Sequence, residues 1–176
     1  MRVSDWIVQE LIRRGVTTLF TLQGGFSQHL NDSIGHSDLK PAYMLTESGA
    51  SYAAYGHALC TGQMGVLCVT SGLAQTNAIS GVASAFSDYV PMFVISGDIA
   101  TDLIVKREEE ELRQGGQQDV KIDRIAEAVT KKVVTVMTAH SAQVWLDILW
   151  KLALAEPQGA CWLNIPIDIQ QAEALE

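Results

Sequence analysis

The chain has 176 residues, within the roughly 100–200 expected of one domain, and 48% of them are hydrophobic against 18% charged, which excludes intrinsic disorder. A domain of ~150 residues buries roughly 70% of the surface its unfolded chain exposes, so a fold of this size needs no disulfide or metal staple. The 20 acidic against 12 basic residues give a formal charge of −8, which opposes phosphate backbones and anionic lipid and argues against nucleic acid or membrane as partner.

From the N-terminus, Val3 to Arg14 place Val3, Ile7, Val8, Leu11 and Ile12 on one helical face, with Ser4 as N-cap and Gly15 as stop. Asp5, Glu10 and two arginines interrupt this segment, so it has no signal-peptide core. No run approaches the ~18 apolar residues of a membrane span, and the expected location is the cytoplasm. Val16 to Leu22 reads as a strand broken by Gly24-Gly25, followed by a helix over Phe26 to Ile34 and a strand over Ala42 to Thr46. Ser48 to Thr61 is a helix of small residues ended by Gly62, and Val66 to Thr70 a strand. Gly72 to Phe86 is a second small-residue helix, and Pro91 to Ser96 a strand opening on proline, where a missing donor is tolerated.

Asp98 to Gly116 breaks the alternation and reads as an exposed loop or short solvated helix, with the run Glu108 to Glu111 at the surface. A helix near Asp119 to Val129, a strand over Val133 to Met137, a helix over Ser141 to Glu156 and a strand over Ala160 to Ile165 complete the chain. Short apolar strands alternating with helices, without hairpin signals, predict an α/β fold. The expected architecture is a doubly wound three-layer α/β/α domain over residues 1–176 with a six-stranded, mainly parallel sheet.

Cys60, Cys68 and Cys161 form neither an even set nor a Cys-x-x-Cys spacing and read as buried thiols in a reducing compartment. The histidines, His29, His36, His57 and His140, make no metal-ligand spacing, and no metal site is expected. Between Pro41 and Gly97 the only charged residues are Glu47 and Asp88. Such a segment is expected to be mostly interior, because an unpaired buried carboxylate is costly. In doubly wound sheets ligands bind outside the carboxyl ends of the strands, which directs attention to Leu22 to Phe26, Glu47 to Gly49, Ser71 to Gln75 and Gly97 to Ile99. Neither a Gly-x-Gly-x-x-Gly fingerprint nor a Gly-x-x-x-x-Gly-Lys-Ser/Thr loop occurs, so a nucleotide-binding, flavodoxin-like reading has little support. On position alone Glu47 is equally a stabilising helix N-terminal glutamate or a site residue.

The pattern around Glu47 decides between these. Glu47-Ser48-Gly49-Ala50, Ala53-Ala54-x-Gly56-x-Ala58 and Thr61-Gly62 resemble the pyrimidine-binding (Pyr) domain of thiamine-diphosphate enzymes, in the acetolactate synthase-like group. The likeness continues through Thr70-Ser71-Gly72, Thr76-Asn77, Asp88-Tyr89-Val90-Pro91, Ile95-Ser96-Gly97, Gln118-Asp119, Thr130-Lys131 and Leu163 to Asp168, and so spans the chain. The resemblance implies that Glu47 hydrogen-bonds a ring nitrogen of the aminopyrimidine and promotes loss of the thiazolium proton. That role needs a carboxyl group able to hold a proton near neutral pH, which a charge-poor surrounding favours and a helix N-terminus opposes. It further implies that Gly24, Gly25, Gly72, Thr76 and Asn77 shape the cofactor site, and that Gln117 and Gln118 lie towards the substrate. Tight turns, helix capping and ordinary exposure are the competing roles for these residues.

There are departures. Leu73-Ala74-Gln75 replace the group's Pro-Gly-Ala, and Gln75 is expected to crowd or rewire the pyrimidine pocket. Gln117 stands where the group usually has phenylalanine, and Asp98 where it often has glutamine. The Gly-Asp-Gly and Asn-Asn motif that binds diphosphate and Mg²⁺ on the group's diphosphate (PP) domain does not occur, nor does a central domain. The implied function is therefore a pyrimidine-binding module or subunit of a thiamine-diphosphate-dependent 2-oxo acid decarboxylase or carboligase, a lyase or transferase inactive alone and needing a PP-domain partner chain. It would expose a small-residue, apolar face and form a homodimer. The alternative is a non-catalytic remnant, a binding or oligomerisation module with the same fold.

Overall fold

The computed structural model describes residues 1–175; Glu176, the last residue of the expected domain, lies outside the described residues. The chain runs α1 (Val3–Arg13), β1 (Thr18–Thr21), a 3-10 turn (Gly25–Ser27), α2 (Gln28–Gly35), β2 (Lys40–Tyr43), α3 (Glu47–Thr61), β3 (Gly65–Val69) and α4 (Leu73–Ser87). It continues with β4 (Met92–Asp98), α5 (Thr101–Glu109), α6 (Ile122–Ala126), a second 3-10 turn (Glu127–Val129), β5 (Lys132–Thr135), α7 (Ala139–Leu154), β6 (Ala160–Pro166) and α8 (Ile167–Gln171). The six strands form one sheet in the order β2-β1-β3-β4-β6-β5, and every pairing is parallel. This is the expected three-layer, doubly wound α/β/α architecture.

Every residue of β3, β4 and β6 is buried, because helices cover both faces of a parallel sheet. Alternate side chains sort into two cores. Phe93, Ile95, Cys161, Leu163 and Ile165 pack with Ile7, Leu11, Leu30, Leu146, Leu149 and Ile169, from α1, α2, α7 and α8. Met92, Val94, Ala160 and Trp162 face the other way and pack with Ala50, Ala54, Ala78, Val82 and Ile122, from α3, α4 and α6. On this second face small residues let backbones meet: a Cβ on Gly81 would lie 2.4 Å from Ser51 Oγ, and one on Gly65 2.4 Å from the Ala54 carbonyl oxygen.

Several expectations are corrected. Ser4 does not cap α1 but is buried within it; Arg2 holds the first turn instead, its backbone N–H and guanidinium both donating to Asp5. The strand expected over Ala42 to Thr46 lies at Lys40–Tyr43, because the Thr46 hydroxyl is taken as the N-cap of α3, accepting from Gly49 N at 3.0 Å. Pro41 is tolerated in β2 because that strand is an edge. Cys68 and Cys161 are buried, and burial pushes both thiols up to about 12, but Cys60 is exposed. The charge-poor segment is not uniformly interior: Leu45, Tyr52, Leu59, Leu73 and Tyr89 are exposed, Leu45 at 96%.

Two of the sequence motifs have plain structural roles. The Thr130 hydroxyl donates to the Ala126 carbonyl, and Lys131 Nζ donates to the carbonyls of Leu152, Ala155 and Pro157 at 2.6–2.7 Å, closing the C-terminal end of α7 where backbone acceptors lack partners. Asp88 accepts from the Tyr55 hydroxyl and ties the end of α4 to α3. Among the described residues no helix is long and apolar enough to cross a membrane.

Candidate functional site

β2 lies on one side of β1 and β3 on the other, so the winding direction reverses between β1 and β3. Reversal opens a crevice outside the carboxyl ends of these strands. Gly24 follows β1 there and Thr70 follows β3. A Cβ on Gly24 would sit 2.3 Å from Thr70 Cγ2, so only glycine lets the two loops touch. Phe26 N donates to Thr70 Oγ1 and Ser27 Oγ to the Gly24 carbonyl, each at 3.1 Å, which fixes the loop. Gly97, at the end of β4, is pressed against the same loop; a Cβ there would lie only 1.9 Å from the Phe26 carbonyl oxygen. Gly25 has open space around it and serves the 3-10 turn.

Glu47 is the first residue of α3 and is half-buried. Asn77 Nδ2, from α4, donates to its Oε2 at 3.2 Å. Among the described residues no basic side chain forms an ion pair with it. The contact with Asn77 joins two residues that the sequence motifs assign to one site. Thr76 differs: its hydroxyl is used within α4, donating to the Leu73 carbonyl at 2.8 Å.

Gly72 is another position where glycine is required. Its φ of +71° is a left-handed conformation, and a Cβ there would lie 1.4 Å from the Gln118 carbonyl oxygen. The turn before α4 thus rests directly on the backbone of the Gln117–Gln118 segment, whose side chains are exposed. Gln118 itself has φ +58°, a region few non-glycine residues occupy.

Gln75 does not stand in the crevice. It is fully buried, and its Oε1 accepts from Gly72 N at 2.7 Å while Nε2 faces Ser96 Oγ at 2.9 Å and Asn164 Oδ1 at 2.7 Å. Its carboxamide is spent on the Gly72 turn and on Ser96 and Asn164 of β4 and β6. Ser96 also accepts from Trp162 Nε1 at 2.7 Å and donates to Asn164 at 2.7 Å. Asn164 reaches Asp98 and Thr135, and Ser71 donates to Asp98 at 3.2 Å. Burial pushes the Asp98 carboxyl above its ordinary value, against the opposing hydrogen bonds from Asn164, Ile99 N and Ser71. Sequence reasoning missed this network. The available signal was polar side chains, Ser96 and Asn164, at the ends of otherwise apolar strands, since buried polar groups need partners.

Two open cavities flank Gln23 at the crevice, about 460 Å³ beside Gly24, Gln28 and Asn31, and about 430 Å³ beside Leu22 and Tyr43. Glu47 lines neither of these; it stands on an open shelf. The arrangement is a crevice whose loops pack closely at glycines, with Gly24 at the edge of one cavity, a carboxylate held by a single carboxamide, and an edge of exposed glutamines on one rim of the sheet.

The family model described as thiamine pyrophosphate enzyme, N-terminal TPP binding domain, matches residues 1–126. The chain belongs to this family. It is 29% identical over 173 residues to the chloroplastic acetolactate synthase of Arabidopsis thaliana, covering 98% of this chain and 25% of the relative. Identity is 31% over 169 residues with acetolactate synthase 2, chloroplastic, of Nicotiana tabacum, at 96% and 24% coverage. With the acetolactate synthase isozyme 2 large subunit of Escherichia coli K12 it is 29% over 172 residues, at 98% and 30% coverage. The chain spans a quarter to a third of the length of these curated relatives, and it is a TPP-binding N-terminal domain of the acetolactate synthase-like kind.

Proposed function

We propose that this TPP-binding domain holds the pyrimidine half of thiamine diphosphate and supplies Glu47 as the carboxyl group that exchanges a proton with a pyrimidine ring nitrogen. The observation that carries this reading is the placement of Glu47: a carboxylate at the crevice rim of a charge-poor segment, half-buried, oriented by Asn77 and without a cationic partner among the described residues. The fit of the other residues supports it. Gly24 leaves room for the Thr70 side chain and Gly72 for the Gln118 carbonyl, neither with space for a Cβ, and Gln75 is buried beneath the Gly72 turn and not exposed in the crevice. Gly25 would give the neighbouring loop its turn, and Thr76 would stiffen the start of α4.

When bound, the cofactor supplies a carbon nucleophile and an electron sink for decarboxylation or carboligation of a small 2-oxo acid. Glu47 holds or releases the proton at the ring nitrogen, Asn77 keeps its carboxylate in place, and the Gln117–Gln118 edge faces the substrate. Diphosphate and Mg²⁺ are left to a PP domain on a partner chain or elsewhere in a longer one. The exposed Leu45, Tyr52, Leu59 and Leu73 belong to the surface on which a second copy or that partner would dock.

The test is reconstitution with a PP-domain partner, thiamine diphosphate and Mg²⁺, followed by NMR measurement of exchange at the thiazolium carbon. Glu47→Gln is expected to slow exchange by about 10²-fold or more while leaving the melting temperature unchanged. Equal rates in the two proteins would overturn the assignment. A second reading, a non-catalytic oligomerisation module, draws on the same exposed apolar side chains; association without any acceleration of exchange in the wild-type chain would favour it.

A further inference from the structure

α5 and the irregular segment after it were expected to be solvated, yet they contain a buried ion pair. Arg107 Nη1 and Asp119 Oδ1 are 2.6 Å apart, with side chains 6% and 0% exposed. The second oxygen of Asp119 accepts from Gly115 N at 2.8 Å. Arg107 Nε also reaches Glu108 at 3.1 Å, and Glu108 binds Lys121 Nζ at 3.0 Å, so the pair sits inside a cluster that crosses from α5 to the start of α6. α5 is itself anchored: the Asp168 carboxylate, on α8, accepts from Thr101 N at 3.1 Å and from Thr101 Oγ1 at 2.6 Å. Gly115 and Gly116 lie so close to Leu103 and Ile99 that added methyls would come within 2.7 Å and 2.8 Å of them.

We infer that the buried Arg107–Asp119 pair positions the substrate-facing edge of the site, by holding the Gln117–Gln118 turn against Gly72. Asp119 immediately follows Gln118, the residue with φ +58° whose carbonyl oxygen occupies the place of the missing Gly72 Cβ. The peptide that carries the exposed glutamines is therefore clamped from both sides, by Gly72 above and by the ion pair below. The segment has no helix or strand ladder to fix it. Besides two backbone hydrogen bonds, Leu112 N to Arg107 O and Asp119 N to Gly116 O, and the packing of Gly115 and Gly116, the buried pair is what ties it to α5, and breaking such a pair leaves a charge buried without its partner. The inference rests on the reading of this rim as a cofactor and substrate site, with Arg107 and Asp119 as positioning residues that act through Gln118.

The experiment compares amide hydrogen exchange and trypsin cleavage after Arg113 in the full chain. Asp119→Asn is expected to accelerate exchange across residues 112–121 by about tenfold or more while β3 and β4 change less than about twofold, and Arg107→Lys, which keeps the cation, is expected to retain most of the protection. The double variant Arg107→Met with Asp119→Asn removes both charges and gives the same comparison if the single variant does not fold. In the complex with a PP-domain partner, Asp119→Asn should raise KM for the 2-oxo acid by about tenfold while thiazolium-proton exchange stays at the wild-type rate. Unchanged protection of residues 112–121 in a folded variant, a loss shared equally by the core strands, or an unchanged KM would each overturn the inference. Failure of the Glu47 assignment reads out separately, as unaltered proton exchange in Glu47→Gln.

Discussion

The two faces of the sheet are built differently. The face under α1, α2, α7 and α8 is filled by large side chains and finished outside by ion pairs: Arg2 with Asp5 and Asp32, and Arg14 with Glu10 and Asp147. The face under α3 and α4 is filled largely by alanine and valine, its helices meet at backbone distance, and Tyr52 and Leu59 stand exposed on α3. Glu47 and Asn77 belong to this second face. The contrast teaches that low charge marks two things at once, a close internal seam and an outer surface not completed for water.

The largest expected effect that would sharpen this contrast is on the large-residue face. Leu149→Ala, at a fully buried position, should cost about 2–5 kcal/mol of unfolding free energy through lost transfer energy and a cavity, measured by urea denaturation. Gly81→Ala should cost less, about 1–3 kcal/mol, because the added methyl meets the Ser51 backbone as well as its hydroxyl and α3 must move away. A neutral Gly81→Ala would break the claim that the α3–α4 seam depends on backbone contact.

Smaller effects follow from two carboxyl groups with opposite shifts. The Arg2 guanidinium is the main cause that holds Asp5 at about 2, below the ordinary 3.8. Its stabilising contribution is therefore present above pH 3.8 and disappears as pH falls towards about 2, so the melting-temperature gap between wild type and Asp5→Asn should close over that window. Asp98 has the reverse sign. Burial raises it, so its contribution is greatest below its ordinary value and is lost as pH rises through the raised one. The pH dependence of melting for wild type against Asp98→Asn reads this directly: a gap that favours wild type increasingly at high pH would contradict it. The smallest effect on stability, within about 0.5 kcal/mol, is expected from Leu59→Lys at an exposed position. The same change should weaken self-association in sedimentation velocity, and undiminished association would show that this patch is not the docking surface.

Much of the fold is legible in the sequence, for a local reason. Apolar runs in β3, β4 and β6 and small residues repeating along α3 and α4 report burial, and alternation of the two element types leaves a covered parallel sheet as the arrangement that buries them. The boundary errors lie where a side chain, not periodicity, sets the element's end: Thr46 ends the approach to α3, and Arg2 replaces Ser4 at the start of α1. The isolated charge of Glu47 in an apolar segment drew attention to it, but position alone left a helix N-terminal role equally open, and the proposed role rests on the resemblance of the motifs around it. The Gln75 network and the Arg107–Asp119 pair are not legible, since each joins residues on different elements and composition records no distances.

The sequence by itself determined the element types, the parallel doubly wound class and the prominence of Glu47, because these depend on spacing and hydrophobicity along one chain. Only the tertiary structure decided that Asn77 meets Glu47, that Gln75 points down into the strand ends, and that Gln118 lies on Gly72. Those contacts follow from how loops pack once the sheet has set where its strands end, and close packing selects the arrangement in which the polar groups beneath the Gly72 turn find partners.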